Sequence, residues 1–344
     1  METITRVVAP EEDGLTVRRY LRGKLKFSAR AVSRLTQAET GILVNGERAF
    51  TTRELRAGDV LRVEIGDRRQ PKKPLVPGNW PLEILWEDEH LLVINKPAGM
   101  TSHASNFDPD APNVGGALAY LRGGGFIFHP ASRLDRGTSG IMVVAKSGYI
   151  HDRLRRAMHS GAYRREYRAI CTGRPEPPQG VINLPIGRDE SSVVARMVRP
   201  DGAKAVTAYE TLSASDAPAL SFVRLRPRTG RTHQLRVHMA HMGCALLGDW
   251  LYGVESPLIA RPALHSYRLT LRHPVEGGWL ELTAPLPGDM AQVLGRYFKL
   301  GGIENADMVG DVPLQARTAG GVPQGDSGTG GARDLDARER ESGL

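Results

Sequence analysis

The sequence predicts an α+β protein built around a mixed, mostly antiparallel sheet. Beyond residue 80, predicted strands and helices follow one another without the regular strand-helix-strand order of a doubly wound sheet. Several of the strands alternate polar and apolar residues, which indicates a sheet with one face open to solvent. A smaller α/β segment comes first, and its helices carry a dense set of cations.

Residues 15–66 are predicted to form a separate small α/β domain. Thr16 can cap its first helix, and Asn45-Gly46 is a hairpin signal after an apolar run. The predicted elements are helices over residues 16–25 and 28–40, and strands over residues 42–44 and 59–64. We expect residues 1–14 to be an N-terminal extension of this domain.

The two predicted helices of this domain are strongly basic. Between residues 15 and 40, seven cations face the single acid Glu39, which gives this stretch a net charge of +6; the cations are Arg18, Arg19, Arg22, Lys24, Lys26, Arg30 and Arg34. Cations at this density repel one another unless a polyanion neutralises them, so the pattern predicts a nucleic-acid surface. A merely solvated charged face is the alternative.

A linker over residues 67–79, rich in proline and basic residues, leads into a larger domain over residues 80–300. Its predicted strands cover residues 91–95, 141–146, 166–172, 222–227 and 279–284, and its predicted helices lie near residues 149–159, 233–241 and 289–298. We expect the open, basic face of its sheet to form a binding cleft.

Charge is unevenly distributed along the 344 residues. The net charge is +8, and residues 301–344 carry four arginines against eight acids, a net charge of −4, so the first 300 residues carry +12. That last segment has no aromatic residue and little apolar surface to offset the entropy of ordering it. We therefore expect a disordered acidic tail behind a basic body.

Cysteine content and hydropathy favour a cytoplasmic protein. The two cysteines, Cys171 and Cys244, give neither a disulfide framework nor a metal-binding pattern. No leader-like start and no run of about 18 apolar residues is present. The spacing of His233, His238 and His241 does not place all three on one helix face, so no metal site is predicted. We expect a monomer without a cofactor or a membrane segment.

The most informative motif is the octet Arg-Leu-Asp-Arg-Gly-Thr-Ser-Gly at residues 133–140. It places Asp135 between Arg133 and Arg136, and nearby cations favour the charged form of a carboxylate. An apolar run over residues 141–145 follows, as expected for a buried strand. The simpler interpretation is a surface turn whose charges pair. A second basic cluster over residues 228–238 would suit a polyanionic substrate.

Six segments in order resemble the RluA/RluD family of pseudouridine synthases, over roughly residues 80–298. The segments are residues 87–100 (EDEHLLVINKPAGM), 132–140 (SRLDRGTSG), 166–173 (EYRAICTG), 229–238 (TGRTHQLRVH), 242–253 (MGCALLGDWLYG) and 263–286 (ALHSYRLTLRHPVEGGWLELTAPL). The resemblance implies the pseudouridine synthase fold and the isomerisation of uridine within RNA, with no metal, redox step or cofactor. A catalytically silent RNA-binding or ribosome-assembly protein is the alternative.

The resemblance also implies roles for four residues. Asp135 matches the catalytic aspartate, Tyr167 the active-site tyrosine, and Arg231 the arginine that pairs with that aspartate. Arg133 matches the arginine that helps displace the target base. A buried strand tyrosine, with no part in the chemistry, is the alternative for Tyr167.

Two positions depart from the usual family sequence. Ser132 stands where a histidine is usual, and Arg165 where a lysine is usual. The remaining basic residues are expected to contact the RNA backbone and to position it without reading sequence; they are Arg136, Arg164, Arg165, Arg168, Arg228, His233 and Arg236.

Residues 15–66 resemble the S4-type RNA-binding domain that often precedes this catalytic domain. That combination implies large-subunit ribosomal RNA as the substrate, with transfer RNA as the alternative.

Overall fold

The computed structural model describes residues 2–67, 75–104, 108, 110–123 and 126–298. Most of the expected linker and the whole expected acidic tail lie outside these ranges. The strands are β1 (Thr3–Val7), β2 (Ile42–Val44), β3 (Glu47–Arg48), β4 (Val60–Glu64), β5 (Glu83–Glu87), β6 (Leu91–Lys96), β7 (His129–Pro130), β8 (Ser139–Ala145), β9 (Tyr163–Thr172), β10 (Gln179–Asn183), β11 (Ile186–Arg188), β12 (Arg196–Val198), β13 (Val206–Ser215), β14 (Leu220–Pro227), β15 (Leu264–Arg272) and β16 (Trp279–Thr283). The helices are α1 (Val17–Arg19, continued by a wider helical turn over Tyr20–Lys24), α2 (Ala29–Thr36), α3 (Val114–Arg122), α4 (Gly148–Ala157), α5 (Gln234–His241) and α6 (Gly288–Tyr297).

The N-terminal domain contains an antiparallel sheet in the order β1-β4-β2-β3. The expected N-terminal extension instead supplies the first strand, because β1 pairs with β4 from Thr3 opposite Glu64 to Val7 opposite Val60. Ile4 on β1 is buried in the core of this domain. The ordered domain therefore begins near residue 3 and not at residue 15.

Local signals place the helices and the hairpin of this domain where the sequence predicts them. The Thr16 hydroxyl accepts a hydrogen bond from the Arg19 amide at 3.3 Å, and the Ser28 hydroxyl accepts one from Ala31 at 3.2 Å. Asn45 and Gly46 both adopt positive φ in the β2–β3 turn. The second helix ends at Thr36, earlier than the predicted residue 40, because the chain turns back toward β2.

The main sheet has ten strands in a mixed arrangement. Its order is β10-β13-β14-β9-β15-β8-β6-β5, with β16 beside β15 and β7 beside β8. Among the described residues, β8 and β15 form its only parallel pair, in which His265 lies opposite Ser139. The predicted α+β class and the mixed, mostly antiparallel sheet are confirmed.

The expectation that one sheet face is open to solvent is wrong for the central strands. Every residue of β8 is buried, because apolar side chains pack on both of its faces. One face packs against α3 and α5, and the other packs against α4 and the N-terminal domain. Polar and exposed residues alternate with buried ones at the edges, on β10 and β16.

The N-terminal domain docks on α4 of the larger domain. The Phe27 and Tyr149 rings stack with centroids 4.2 Å apart. The Leu25 carbonyl at the end of the basic helix accepts hydrogen bonds from the Tyr149 hydroxyl at 2.9 Å and from Arg153 at 3.2 Å. Arg156 bonds the next carbonyl, that of Lys26. The apolar cores of the two domains are therefore continuous.

In the described part of the chain, no helix is both long and apolar enough to cross a membrane.

Candidate active site

Asp135 lies in the turn that leads from β7 into the buried strand β8. Its backbone carbonyl accepts a hydrogen bond from the Thr138 amide at 3.1 Å, which closes the turn. The Asp135 side chain is 30% exposed, whereas Leu134 before it is buried in the core. The turn thus presents a partly accessible carboxylate on a rigid base.

Hydrogen bonds hold the backbone on both sides of Asp135. The Ser102 hydroxyl donates to the Leu134 carbonyl at 2.8 Å and accepts from the Leu134 amide at 3.0 Å. On the other side, Gly99 and Arg136 are joined by two bonds: the Gly99 amide donates to the Arg136 carbonyl at 2.8 Å, and Arg136 Nε donates back to the Gly99 carbonyl at 3.1 Å. These contacts fix the direction in which the Asp135 side chain leaves the turn.

Arg261, in the loop before β15, braces the same turn. Its Nη1 donates to the Gly137 carbonyl at 3.0 Å, two residues after Asp135. Asp289 on α6 accepts from Arg261 Nε at 2.7 Å and from Nη2 at 2.8 Å, a bidentate pair that orients the guanidinium. The Arg261 side chain also lowers the pKa of Asp289, although burial acts in the opposite direction and is the larger single influence. Neither residue is singled out by the sequence motifs.

Arg236, on the first turn of α5, is the arginine that the structure places beside Asp135. Its Nη1 lies 3.8 Å from Asp135 Oδ2. Asp249 accepts from Arg236 Nε and Nη2, both at 2.7 Å, and the guanidinium lies 4.9 Å from the Tyr252 ring centroid. Arg236 is buried, so it is a partner of the carboxylate and not the exposed RNA-backbone contact that the sequence predicts.

Arg231, the arginine expected to pair with Asp135, points elsewhere. Its side chain is exposed, and its Nε donates to the Lys204 carbonyl at 2.9 Å. Arg231 lies in the loop before α5, whereas Arg236 lies inside the helix and faces the core. The two arginines belong to one basic segment, so sequence alone could not tell which of them the packing of α5 turns toward the acid.

His233 is the second ionisable side chain beside the Asp135 carboxylate, after Arg236. Its Nε2 lies 3.9 Å from Asp135 Oδ1, and its Nδ1 shares a hydrogen bond of 2.8 Å with the Tyr252 hydroxyl. Burial lowers the pKa of His233, and the negative charge of Asp135 opposes this only in part. The ring therefore stays mostly neutral at neutral pH, which makes Arg236 the main cation beside Asp135.

Lys96 is a buried lysine close to the active-site turn. It is fully buried, and its Nζ donates to the carbonyls of Pro97 and Met100, both at 2.8 Å. Burial lowers the pKa of Lys96 to about 7, and the charge of Asp135 acts in the opposite direction. Lys96 thus anchors the segment that carries Gly99 and couples electrostatically to the carboxylate. Sequence reasoning missed it, although it lies inside the quoted segment 87–100.

Tyr167 is buried on β9, opposite Leu225 on one neighbouring strand and Ser266 on the other. It is 6% exposed and belongs to the apolar cluster that also holds Leu134 and Leu235, next to Asp135 and Arg236 in sequence. Tyr167 therefore lies on the side of the sheet that also holds the residues next to Asp135 and Arg236.

The predicted RNA contacts divide between the two faces of β9. Residues alternate along a strand, so Arg164 and Arg168 point away from the face that Tyr167 occupies. Arg168 is buried and pairs with Glu166, which corrects its expected role as a backbone contact. Arg165 is half-buried, and its Nη2 donates to the Thr229 carbonyl at 3.2 Å.

The other predicted contacts stay accessible. Arg133, Arg136 and Arg228 are exposed around the active-site turn and the loop before α5. The seven cations of the N-terminal domain are also exposed, and Lys24 pairs with Glu12 at 3.2 Å. Ser132, which replaces the usual histidine, makes a hydrogen bond with the buried Tyr163 hydroxyl beneath the turn. Within the described ranges, no group of three or more His, Cys, Asp or Glu side chains is arranged to hold a metal ion.

Comparisons with known proteins agree on one family. The family model described as RNA pseudouridylate synthase matches residues 90–241. An uncharacterized RNA pseudouridine synthase of Bacillus subtilis, YjbO, is 38% identical over 81% of this chain and 98% of its own length. The ribosomal large subunit pseudouridine synthase D of Zymomonas mobilis is 38% identical over 62% of this chain and 72% of its own length.

A solved structure shares the fold. The human RNA pseudouridylate synthase domain containing 4 matches with a TM-score of 0.50 and 27% identity, over 62% of this chain and 92% of that one. Two observations support the family assignment. The chain matches nearly the whole length of the bacterial relative, and the region matched by the family model includes the Asp135 turn. The chain therefore belongs to the RNA pseudouridine synthase family, and its reaction is the isomerisation of uridine to pseudouridine in RNA.

Proposed function

We propose that this enzyme modifies uridines of large-subunit ribosomal RNA, with Asp135 as the catalytic residue. The observation that carries the catalytic assignment is the placement of the Asp135 carboxylate: it is partly exposed, lies 3.8 Å from Arg236, and stands on a turn that is clamped by backbone hydrogen bonds. The name of the Zymomonas relative supports ribosomal RNA as the substrate.

The reaction itself is balanced without any external reagent. The bond between C1′ of the ribose and N1 of uracil breaks, the freed base turns while it stays bound, and a new bond forms between C1′ and C5. The C5 proton leaves and N1 gains a proton, so no atom is lost. Asp135 either attacks the sugar or removes a proton from it, and both routes need the ionised carboxylate.

Arg236 is the arginine that faces Asp135 at 3.8 Å. Asp249 holds its guanidinium in place, so the positive charge stays directed toward the Asp135 carboxylate. Tyr167 lies on the same side of the sheet. We assign it to packing against the uracil ring and to assisting proton transfer from C5.

A base within folded RNA must leave its stack before Asp135 can reach the sugar, at a cost of a few kcal/mol. Arg133, exposed two residues before Asp135, is suited to fill the vacated space and to hold a phosphate. Arg136, Arg228 and Arg231 supply further phosphate contacts around the turn, because all three side chains are exposed.

The N-terminal domain acts as an RNA handle of the S4 type. Its cations are exposed, and its fixed docking on α4 sets their position relative to Asp135. A rigid second contact raises the effective concentration of a large folded RNA at the active site. This arrangement suits ribosomal RNA, which offers an extended structured surface.

Mapping pseudouridine across total RNA tests the substrate assignment. Cells without the gene should lose specific sites in large-subunit ribosomal RNA, and an Asp135→Asn copy should not restore them although the wild-type copy does. Loss of sites in transfer RNA alone would replace ribosomal RNA with transfer RNA as the substrate. Restoration by the Asp135→Asn copy would refute the assigned role of Asp135.

A further inference from the structure

Trp250 is an exposed tryptophan in the turn that supplies Asp249, the buried partner of Arg236. Its side chain is 61% exposed, although Asp249 immediately before it is fully buried and holds Arg236. A single exposed apolar side chain is common on protein surfaces and by itself indicates nothing. The position of Trp250 in the turn that supports the catalytic arginine is what distinguishes it.

This turn is tied to the catalytic residues at two points. The Gly253 amide donates to the Asp249 carbonyl at 2.8 Å and closes the turn around Trp250. Asp249 binds Arg236, and the Tyr252 hydroxyl shares a hydrogen bond with His233. Trp250 is therefore linked to Asp135 through two residues only, since it follows Asp249 in the chain, Asp249 binds Arg236, and Arg236 Nη1 lies 3.8 Å from Asp135 Oδ2.

The segments joined to the Trp250 turn carry exposed apolar and cationic groups. The β11–β12 hairpin is joined to the same turn, because the Arg196 amide donates to the Tyr252 hydroxyl at 2.9 Å. The tip of the hairpin carries Val193, which is 87% exposed, and the exposed Val194. Arg228 and Arg231 are exposed on the loop that leads to His233. An unpaired nucleotide offers the matching chemistry, an apolar base face next to a phosphate.

We propose that Trp250 stacks on an unpaired base of the RNA substrate beside the target uridine. Extrusion of a uridine leaves its neighbours without a stacking partner, and an exposed indole on the turn that holds Arg236 provides one. The inference rests on the proposed function for its substrate class, unpaired RNA, but does not depend on which cellular RNA is modified.

Binding of two RNA probes tests the proposal. One probe is a single-stranded oligouridylate, and the other is an RNA hairpin whose stem is fully paired. Trp250→Ala should weaken binding of the oligouridylate about 10-fold or more, while affinity for the paired stem stays within about twofold of wild type. Trp250→Phe should retain most of the affinity because the ring still stacks. Saturation with the oligouridylate should quench indole fluorescence in wild type and much less in Trp250→Phe.

Trp279→Ala is a matched control. Trp279 is also exposed, at 42%, but it lies far along the sheet from the Asp135 turn. It pairs with Arg272 at one end of β15, whereas β15 meets β8 at His265. The seven residues between Arg272 and His265 correspond to roughly 20 Å of strand. This variant should bind both probes as wild type does. Melting temperatures of all variants establish that the fold is intact.

The proposal is overturned if Trp250→Ala binds the oligouridylate as wild type does, if it loses affinity for both probes equally, or if the oligouridylate leaves wild-type fluorescence unchanged. These outcomes are separate from the failure of the proposed function, since the probes measure binding and not the cellular target.

Discussion

Arg236 is held more closely by Asp249 than by Asp135. Two hydrogen bonds of 2.7 Å join Arg236 to Asp249, whereas its nearest contact with Asp135 is 3.8 Å long. The buried Asp249 therefore orients the guanidinium, and the Asp135 carboxylate feels its positive charge without a short hydrogen bond to it. A carboxylate in this situation has a cation beside it and is still free to react with the sugar.

Asp135→Asn should abolish isomerisation, with a fall in kcat of more than about 10³-fold, because the amide can neither attack nor accept a proton as the carboxylate does. The affinity for RNA should stay within a few fold of wild type, since the exposed arginines that we propose as phosphate contacts are unchanged. Tritium release from C5-labelled RNA and a filter-binding assay measure the two quantities. Retained turnover would contradict the role of Asp135.

Replacing Arg236 and Arg231 by lysine, one at a time, should distinguish the roles of these two arginines. Arg236→Lys should lower kcat about 100-fold or more, because a lysine cannot form the bidentate pair with Asp249 while facing Asp135. Arg231→Lys should change kcat by no more than a few fold, because its guanidinium binds the Lys204 carbonyl. Single-turnover kinetics provide the comparison. A larger fall in kcat for Arg231→Lys than for Arg236→Lys would support the pairing of Arg231 with Asp135 that the sequence predicts.

Asp289→Asn should lower kcat about 10-fold to 100-fold with little change in KM, because Arg261 loses the partner that aims it at the Gly137 carbonyl. We also expect a destabilisation of about 1–3 kcal/mol, since Arg261 is largely buried. Asp216→Asn, which breaks the exposed pair with Arg174, is the control and should leave both quantities unchanged. An unchanged kcat in Asp289→Asn would show that the brace contributes to stability alone.

Neutralising exposed cations of the N-terminal domain should weaken RNA binding in a salt-dependent way. Replacement of Arg18, Arg19, Arg22 and Arg30 by glutamine should flatten the slope of log affinity against log salt concentration by up to about 3, with kcat on a small RNA preserved. A control variant carries the same charge change elsewhere and should alter the slope much less. In it, glutamine replaces Arg155, Arg174, Arg272 and Arg296. Equal slopes for the two variants would exclude a specific RNA handle. Substitution is preferable to deletion because the two domains share a core.

Lys96 should make the stability of the protein depend on pH. Its pKa in the folded state is lowered to about 7 from an ordinary value of 10.5, so above pH 7 the unfolded chain binds the proton that the folded chain has released. The free energy of unfolding should therefore rise from pH 7 toward pH 8.5 in wild type. Lys96→Met should lack this rise, as measured by urea denaturation at both pH values. Identical pH dependence in the two proteins would mean that Lys96 keeps its proton throughout this range.

Much of this protein follows from the sequence itself. The octet at residues 133–140 picks out Asp135 because an acid between two arginines, ahead of an apolar strand, is a local pattern. Helix caps such as Thr16 and the Asn45-Gly46 turn are equally local, since each depends on residues a few positions apart. The basic helices of the N-terminal domain and the mixed sheet likewise follow from composition and periodicity.

Tertiary structure alone decided which side chains meet. Arg236 and not Arg231 faces Asp135 because of the way α5 packs on the sheet, and Arg168 is buried because Glu166 pairs with it inside the fold. The Arg261 brace joins residues 124 positions apart, and Lys96 becomes a group of low pKa only when strands bury it. Sequence patterns report spacing along the chain, whereas pairing and desolvation depend on how distant elements pack together.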